Sequence, residues 1–215
     1  MNSEEAEECF EVLDESGNGT GVKKARSLVH AHGDFHRAIH LWIITREGSL
    51  IVQRRAKQKE SWPGLWDISV AGHVTFGDSS LGTAHKELEE ELGTDFTKNS
   101  NSKIEFLFTQ KMQDILEKKD GEPFVNNEFV DVYLLELERV PGPDEIKLQE
   151  TEVMDYAVVP YGIWEKLLRE KHPMLVHANH GNTEQYLDKL FNETLKKRYP
   201  ETGLENFALD FLNRK

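Results

Sequence analysis

Apolar and β-branched runs alternate with short Gly-, Asn- and Pro-containing stretches over the first third of the chain. The segments CFEVLD, ESGNGTG and VKK predict an N-terminal β-hairpin, with a turn between two strands. HRAIHLWIIT (36–45) and LIVQRR (50–55) flank a Gly-containing turn and predict a second hairpin. Because Pro63 has no N–H to donate to a sheet, SWPGLW is expected to be a connection that leads into the strand DISVAGHV (67–74).

Helical periodicity replaces strand alternation at about Ser79. The pattern predicts a long helix over 79–92, with Asp78 or Ser79 as its N-cap and Gly93 as its C-terminal stop. The later elements are predicted to be strands at 103–112, 128–138 and 152–160, a charged loop at 116–127, and helices at 161–171, 183–199 and 204–214. We therefore expect an α/β or α+β fold with helices packed on the faces of a sheet.

Length and composition indicate a single domain with appendages. The 215 residues, of which 38% are hydrophobic, are enough for one sizeable core. We assign residues 1–35 to the N-terminal hairpin and its lead-in, 36–175 to the main domain, and 176–215 to C-terminal helices packed on that domain.

Charge and cysteine content narrow the expected partners and compartment. The formal net charge of −13 would repel nucleic-acid phosphates, although local basic residues and a divalent metal can still bind a phosphate-bearing small molecule. Cys9 is the only cysteine, which excludes an internal disulfide and favours a reducing compartment, the cytoplasm. The acidic N-terminus has no signal pattern and no apolar run reaches membrane length, so we expect no membrane partner; the oligomeric state stays open.

Four glutamates lie near the C-terminal end of the predicted helix, in HKELEEELG (85–93). At about 100° per residue, Glu87, Glu90 and Glu91 share one sector of the helix, whereas Glu89 points away. These three carboxylates repel one another and the negative end of the helix dipole unless a cation lies among them. Oxygen ligands suit Mg²⁺, so the pattern indicates a metal site; a solvated acidic face is the alternative.

The stretch that starts at Gly72, GHVTFGDSSLGTAHKELEEELGT, resembles the Nudix box, G-x5-E-x7-R-E-U-x-E-E-x-G-U with U bulky and apolar. The alignment needs no gap. The matching residues are Gly72, Glu87, Leu88, Glu90, Glu91 and Gly93. Asp78, Lys86 and Thr94 replace the Glu, the Arg and the last apolar residue of the pattern. On this motif the chain is identified as a member of the Nudix superfamily.

The resemblance implies a Nudix fold, an α/β/α sandwich with a mixed sheet in which the box forms loop, helix and loop. It also implies attack of water on a diphosphate linkage, dependent on Mg²⁺ or on Mn²⁺. By analogy Glu87, Glu90 and Glu91 are metal ligands, and Glu87 and Glu90 are catalytic candidates. Asp78 and Lys86 would form the ion pair that fixes the loop of the box against its helix, although Asp is one methylene shorter than Glu.

Residues 30–160 also resemble the segment shared by type I isopentenyl-diphosphate isomerases and their hydrolase relatives. The isomerases use a cysteine where this chain has Ala71, and they have two later acids where it has Asn126 and Glu128. The isomerase proton-transfer set is therefore incomplete, which favours a hydrolase. Glu128 is a third catalytic candidate, as a base or a ligand from outside the box, with an exposed strand residue as the alternative.

Histidines raise a second metal hypothesis. His36 and His73, with Glu128, match isomerase metal positions, while hydrogen bonding is the alternative role that we favour. His30, His32 and His40 lie on the same segment but have no spacing typical of ligands.

Basic and aromatic residues after the second hairpin are candidates for substrate binding. Arg55 and Lys59 match isomerase positions that hold the diphosphate; solvated surface charge is the alternative. Trp62 and Trp66 flank the turn of the connection SWPGLW, and core packing is the role that we favour for them; an aromatic wall for an organic group, with Trp62 as its candidate, is the other hypothesis.

These observations support three hypotheses about function. The first is a Mg²⁺-dependent Nudix pyrophosphohydrolase that acts on a small organic diphosphate, with prenyl or nucleoside diphosphates as the leading substrate classes. The second is an isopentenyl-diphosphate isomerase. The third is a non-catalytic Nudix module that only binds its ligand, which the intact acidic box disfavours.

Overall fold

The computed structural model describes residues 7–59, 61–98, 102–117, 123–176, 183–201 and 207–214. The strands are β1 (Cys9–Leu13), β2 (Gly19–Ala25), β3 (His36–Thr45), β4 (Ser49–Arg55), β5 (Trp66–Asp67), β6 (Val70–His73), β7 (Ile104–Glu117), β8 (Pro123–Leu137) and β9 (Val153–Pro160). The helices are α1 (Arg26–His32), α2 (Ser80–Leu92), α3 (Tyr161–Arg169), α4 (Thr183–Leu187) and α5 (Lys196–Arg198). A π-helical segment, Asp188–Leu195, joins α4 to α5, and 3₁₀ turns span Pro143–Glu145 and Leu209–Asn213.

A mixed sheet forms the centre of the molecule, and β1 and β2 form the separate hairpin that the sequence predicts. The strand order of the large sheet is β5-β4-β3-β8-β7, with β6 paired to β3 and β9 paired to β4. β3 runs parallel to β8 and antiparallel to β4 and β6. This pairing places His36 directly opposite Glu128 and Ala38 opposite His73.

β3 is apolar on both faces because each face is covered by helices. Its side chains alternate, so Ala38 and Trp42 pack in one core cluster while Ile39 and Leu41 pack in the other. The apolar residues of α2 cover the Ile39 side, and the opposite side is covered by α3, α4 and the π-helical segment. The predicted α/β/α sandwich with a mixed sheet and a C-terminal helical extension is confirmed.

The local signals that bound α2 act as predicted. Ser79 is the N-cap, and its side chain accepts a hydrogen bond from the backbone N–H of Gly82 at 3.1 Å. Gly93 ends the helix in the left-handed conformation at φ +70°, where a side chain would be strained.

Two sequence predictions need correction. The charged loop is shorter than 116–127, because β7 continues to Glu117 and β8 begins at Pro123; residues 118–122 lie outside the described residues. This hairpin extends beyond the core through cross-strand pairs of polar residues, such as Gln113 with Asn127. The sequence there has no run of apolar residues that would predict strands. The helix predicted over 204–214 is a 3₁₀ turn where the structure describes it, held by Phe211 against two buried tryptophans, Trp66 and Trp164.

A further difference lies at α1, seven residues that the sequence treats as part of the N-terminal lead-in. Within the described residues, helices are either too short or too polar to cross a lipid bilayer.

Candidate active site

A cavity of about 920 Å³ opens between the end of α2, one face of β3, the connection after β4, and α4. Glu87, Glu90 and Glu91 line it from α2. The other predicted residues that line it are Arg55, Lys59, Trp62, Gly72, Lys86 and Glu128. Asp78 and Gly93 are not among its lining residues, and Glu89 faces away, with its carboxylate 2.6 Å from Lys98. The predicted assignment of helix faces is confirmed.

Glu91 is the most deeply buried of the three carboxylates, with 6% of its surface exposed. Gln53 on β4 donates a hydrogen bond to Glu91 Oε2 at 3.2 Å. Burial raises the pKa of Glu91 well above its ordinary value, and the nearby charge of Glu87 adds to the effect. A buried carboxylate with a single amide partner is poorly compensated when it is ionised.

Glu87 occupies the next position on the same helix face. Burial raises its pKa to about 7, and repulsion from Glu90 contributes in the same direction. Glu90 lies towards solvent, where 48% of its side chain is exposed. The three carboxylates therefore run from the buried side of the cavity to its mouth.

This donor set fits a hard divalent cation. Three carboxylates converge from one helix face, and the pKa values of Glu87 and Glu91 are raised because their negative charges are desolvated and close together. When all three carboxylates are ionised, their mutual repulsion destabilises the folded protein. A cation that prefers oxygen ligands would relieve this repulsion by binding among them.

Gly72 lets Glu87 approach the sheet. A Cβ atom at this position would lie 2.5 Å from Glu87 Cδ and 2.6 Å from Cγ, closer than any real contact. A side chain at position 72 would therefore push the Glu87 carboxylate out of its place, even though the backbone of Gly72 has no positive φ angle.

We predict that Gly72→Ala displaces the Glu87 carboxylate and lowers kcat/KM about 100-fold, since a misplacement of about 1 Å has effects of this size. Steady-state kinetics and circular dichroism would measure activity and folding. Gly142→Ala is the matched control, because its Cβ would meet only the flexible end of Glu145 at 3.3 Å, away from the cavity. Equal activity in the two variants would contradict the role of Gly72.

The predicted ion pair between Asp78 and Lys86 is absent from the described structure. Lys86 Nζ instead lies 4.0 Å from Glu90, one helical turn further on, and both side chains are about half exposed. Asp78 is exposed and belongs to the turn before the N-cap, where its backbone N–H bonds to Thr75. The shorter Asp side chain is the physical difference from the family pattern at this position.

The basic residues predicted to hold a diphosphate are in the cavity and are already paired. Arg55 Nη1 lies 3.0 Å from Asp67, and Lys59 forms a close ion pair with Glu152. Arg54, the neighbour of Arg55, points the other way and donates to the carbonyl of Gly64 at 2.9 Å, as strand alternation requires.

The two tryptophans that flank the connection separate into different roles. Trp62 is half-buried and lines the cavity at φ +47°, with the Arg55 guanidinium 6.0 Å from its ring. Trp66 is fully buried in the core. Trp62 is therefore placed as a cavity wall, and the core-packing alternative holds only for Trp66.

Three histidines from separate elements meet beside the cavity, which His73 lines. Ring nitrogens of His30, His36 and His73 lie within 4.8 Å of one another. Glu128 adjoins them, at 3.1 Å from His73 Nε2 and 3.7 Å from His36 Nε2. His32 and His40 do not join this cluster, because His32 lies beside Asp34 and His40 Nδ1 lies 3.0 Å from Tyr186 OH.

Hydrogen bonding assigns the proton of each clustered ring. Nδ1 of His30 and Nδ1 of His36 face the carbonyls of Val125 and Asp34, so these nitrogens carry the proton and leave an unpaired Nε2. His73 Nδ1 instead faces the Arg26 guanidinium at 3.0 Å. Because arginine only donates, neutral His73 carries its proton on Nε2, towards the Glu128 carboxylate.

The cluster therefore fits a metal only in part: His30 and His36 each direct a lone pair inwards, whereas the Nε2 of His73 is protonated. Burial lowers the pKa of His30 to about 3 and that of His36 to about 4, so both rings are neutral at physiological pH. Burial alone would raise the pKa of Glu128, but the adjacent imidazoles, His73 above all, hold it below its ordinary value.

Several residues in or next to the cavity carry no strong sequence signal. Gln53 is detectable only as a polar residue inside the apolar strand LIVQRR. Arg26 belongs to the helix that the sequence does not predict, and its contact with His73 spans 47 positions. Tyr186 contacts β3 from across 146 positions, and its helical periodicity indicates burial without indicating a site.

Comparison with known proteins identifies the family. The model of the NUDIX domain family matches residues 34–175. The chain belongs to the Nudix family. Nudix hydrolase 3 of Arabidopsis thaliana is 45% identical over 172 residues, which cover 80% of this chain and 22% of the plant protein. An isopentenyl-diphosphate Delta-isomerase of Citrobacter koseri is 28% identical over 145 residues, 67% of this chain and 73% of the isomerase.

The predicted place of this Nudix chain, near the isomerase branch, is confirmed by these relatives. The chain spans between 22% and 64% of the length of the first four curated relatives that it matches. The crystal structure of DR0079 from Deinococcus radiodurans matches it with a TM-score of 0.59 and 15% identity, over 90% of this chain and 100% of that one. At that identity the likeness supports the Nudix fold alone.

Proposed function

We propose that this Nudix chain is a Mg²⁺-dependent pyrophosphohydrolase that cleaves a diphosphate linkage in a small organic substrate. The observation that carries the proposal is the convergence of Glu87, Glu90 and Glu91 in one cavity with Arg55 and Lys59. The cavity volume, about 920 Å³, lies within the range of small-molecule sites.

Glu87, Glu90 and Glu91 are the residues that would hold Mg²⁺. When bound, the metal neutralises phosphate oxygens and polarises the phosphorus centre for attack by water. Mn²⁺ has similar ligand preferences and is the alternative ion.

The carboxylates differ in their suitability as the base. A general base is most effective when its pKa lies near the working pH. The pKa of Glu87 is about 7 in the metal-free protein, and a bound cation would lower it, so Glu87 would act as the base through a carboxylate oxygen that does not contact the metal. The lowered pKa of Glu128 makes that carboxylate a weak base, and its burial beside two histidines suits an orienting role. We therefore assign proton abstraction to Glu87 and keep Glu128 as a positioning residue.

Arg55 and Lys59 would bind the diphosphate. Their pairing with Asp67 and Glu152 fixes the two cations in the cavity before substrate arrives, at the cost of partly neutralising them. Arginine matches phosphate oxygens in a bidentate geometry, so Arg55 is the stronger candidate of the two.

The isomerase alternative needs a proton to be delivered to one carbon and removed from another. Ala71 lines the cavity where the isomerases have cysteine, and a methyl group cannot transfer a proton. Hydrolysis requires no group at this position, because water, metal and carboxylates supply the reaction.

The proposal is tested by incubating the protein with Mg²⁺ and prenyl, nucleoside, sugar or thiamine diphosphates in ¹⁸O-labelled deuterated water. Phosphorus NMR would show an organic monophosphate, and the position of ¹⁸O would identify the attacked phosphorus. Deuterium entry into carbon without loss of phosphate would establish the isomerase instead. Tight binding of a diphosphate without turnover, in a protein with Mg²⁺ bound, would establish the non-catalytic module.

A further inference from the structure

The segment from Thr183 to Leu187 lies outside the residues that the family model matches, yet it forms part of the cavity wall. Tyr186 and Leu187 have 5% and 3% of their surface exposed, and Trp42 opposite them has none. The side chains of Lys86 and Glu90, by contrast, are about half exposed. Lys86 and Glu90 therefore mark the mouth of the cavity on the α2 side, whereas Tyr186, Leu187 and Trp42 form a buried apolar end. Glu91 on α2 is as buried as Tyr186, and Glu184 on α4 is exposed, so the closed end is the Tyr186–Leu187 part of α4.

Tyr186 is fixed at this end by two hydrogen-bond partners on β3. Trp42 Nε1 donates to the Tyr186 hydroxyl at 2.7 Å, and His40 Nδ1 lies 3.0 Å from the same oxygen. The tyrosine ring also packs edge-on against the rings of His40 and Phe108. Ala38, which lines the cavity from the same face of β3, contributes only a methyl group.

The helix that carries Tyr186 is held on both sides. Gln185 accepts a hydrogen bond from Gln110 on β7 at 3.2 Å. On the opposite side Arg169 of α3 bonds to Glu184 at 2.8 Å and to Asp188 at 2.9 Å. Side chains next to Tyr186 thus hold the helix to β7 and α3, and the Tyr186 hydroxyl is held by β3, so the tyrosine forms a wall of fixed position.

We propose that α4 supplies the closed end of the substrate cavity, and that Tyr186 sets the size of the organic group the cavity accepts. The inference rests on the proposed function, because it assumes that the phosphate groups lie at the α2 carboxylates. From there the organic group extends towards β3 and α4, and the tyrosine ring ends the available space. Tyr186 is thus a specificity-determining residue from outside the Nudix box.

Binding of non-hydrolysable methylene analogues of alkyl diphosphates, in a series of increasing chain length, tests the proposal. Isothermal titration calorimetry with Mg²⁺ should show affinity rising about fourfold for each added methylene, up to a limiting length. Beyond that length the affinity of the wild-type protein should fall. Tyr186→Ala should move the limit to longer chains, and Tyr186→Leu should move it in the same direction by less.

Two control variants distinguish a specific effect of Tyr186 on the cavity from a general loss of core packing. Phe211→Ala removes a buried ring that packs on Trp66 and Trp164, neither of which lines the cavity, and should leave the limit unchanged. Tyr199→Phe removes a buried hydroxyl that bonds to Glu136 at 2.8 Å and should also leave it unchanged. The proposal would be overturned if the limiting chain length were unchanged in folded Tyr186→Ala and Tyr186→Leu. It would also be overturned if the limiting chain length changed equally in the control variants.

A second measurement uses only the wild-type protein and therefore does not depend on the folding of a variant. An alkyl analogue with a diazirine on its terminal carbon should label the peptide that contains Tyr186 on irradiation, as identified by mass spectrometry. Labelling confined to α2 would contradict the placement. Neither measurement requires turnover, so the role of Tyr186 can be tested even if the hydrolysis screen fails and the proposed function is rejected. If hydrolysis is normal but the limiting chain length is unchanged in the Tyr186 variants, only the role of Tyr186 is rejected.

Discussion

Glu91→Gln is expected to lower kcat about 100-fold or more while leaving the fold intact. A neutral amide cannot hold Mg²⁺ as a carboxylate does, and a bound metal contributes several kcal/mol to stabilising the charge of the transition state. The fold should be unaffected because burial raises the pKa of Glu91 and so favours an uncharged side chain at this position. Glutamine is uncharged and has the shape of a carboxyl group.

Glu89→Gln is the matched control for this prediction, since it changes the same residue type on the same helix. The Glu89 carboxylate bonds to Lys98 at the surface, so its loss should change kcat less than about twofold. Kinetics at saturating Mg²⁺ and calorimetric titration with Mg²⁺ would measure turnover and metal affinity separately. A comparable loss of activity in both variants would show that the assignment of helix faces is wrong.

Mg²⁺ is expected to stabilise the protein strongly at about pH 8 and weakly at about pH 5.5. The pKa of Glu87 is raised in the folded protein from its ordinary value of 4.5 to about 7. A raised acid pKa contributes stability that is fully present below 4.5 and is lost as pH rises through about 7. The full loss is on the order of 3 kcal/mol, a melting-temperature change of about 6–12 °C, and Mg²⁺ reverses it by neutralising the ionised carboxylate.

Glu87→Gln isolates this contribution. The lowered pKa values of His30 and His36 act in the opposite direction, because their stability is present above about pH 6.5 and is lost as pH falls. Subtracting the melting curve of Glu87→Gln from that of the wild type removes these histidine effects, which the two proteins share. The prediction would be refuted if Mg²⁺ raised the melting temperature of the wild type equally at both pH values. It would also be refuted if Mg²⁺ raised the melting temperature of Glu87→Gln as much as that of the wild type.

The part of the site that lies on one helix was predictable from the sequence. Ser79, Gly93 and the spacing of the glutamates are local features, because a cap, a left-handed stop and a helix face depend on neighbours within four positions. The same features placed Glu89 outside the cavity. The Nudix box adds a recognisable order of residues to this local geometry.

The prediction of the Asp78–Lys86 pair failed because it required a side chain in a loop to be long enough to contact a side chain on the helix. Lys86 lies at an i, i+4 distance from Glu90, a contact available on any helix, whereas Asp78 is exposed directly before the N-cap Ser79. The helix predicted over 204–214 was wrong for a related reason: Phe211 packs against Trp66 and Trp164, and this contact is compatible with a short 3₁₀ turn.

The sequence alone determined the fold class, the limits of α2 and the identity of the acidic residues. Each of these depends on patterns among residues that are close together in the chain. Only the tertiary structure decided their environment. Parallel pairing of β3 with β8 places His36 opposite Glu128, and α1 adds His30 to the same cluster. Burial, which raises the pKa of Glu87, and the closure of the cavity by Tyr186 depend on contacts between distant segments. Those contacts form only when the whole core packs, so no local pattern records them.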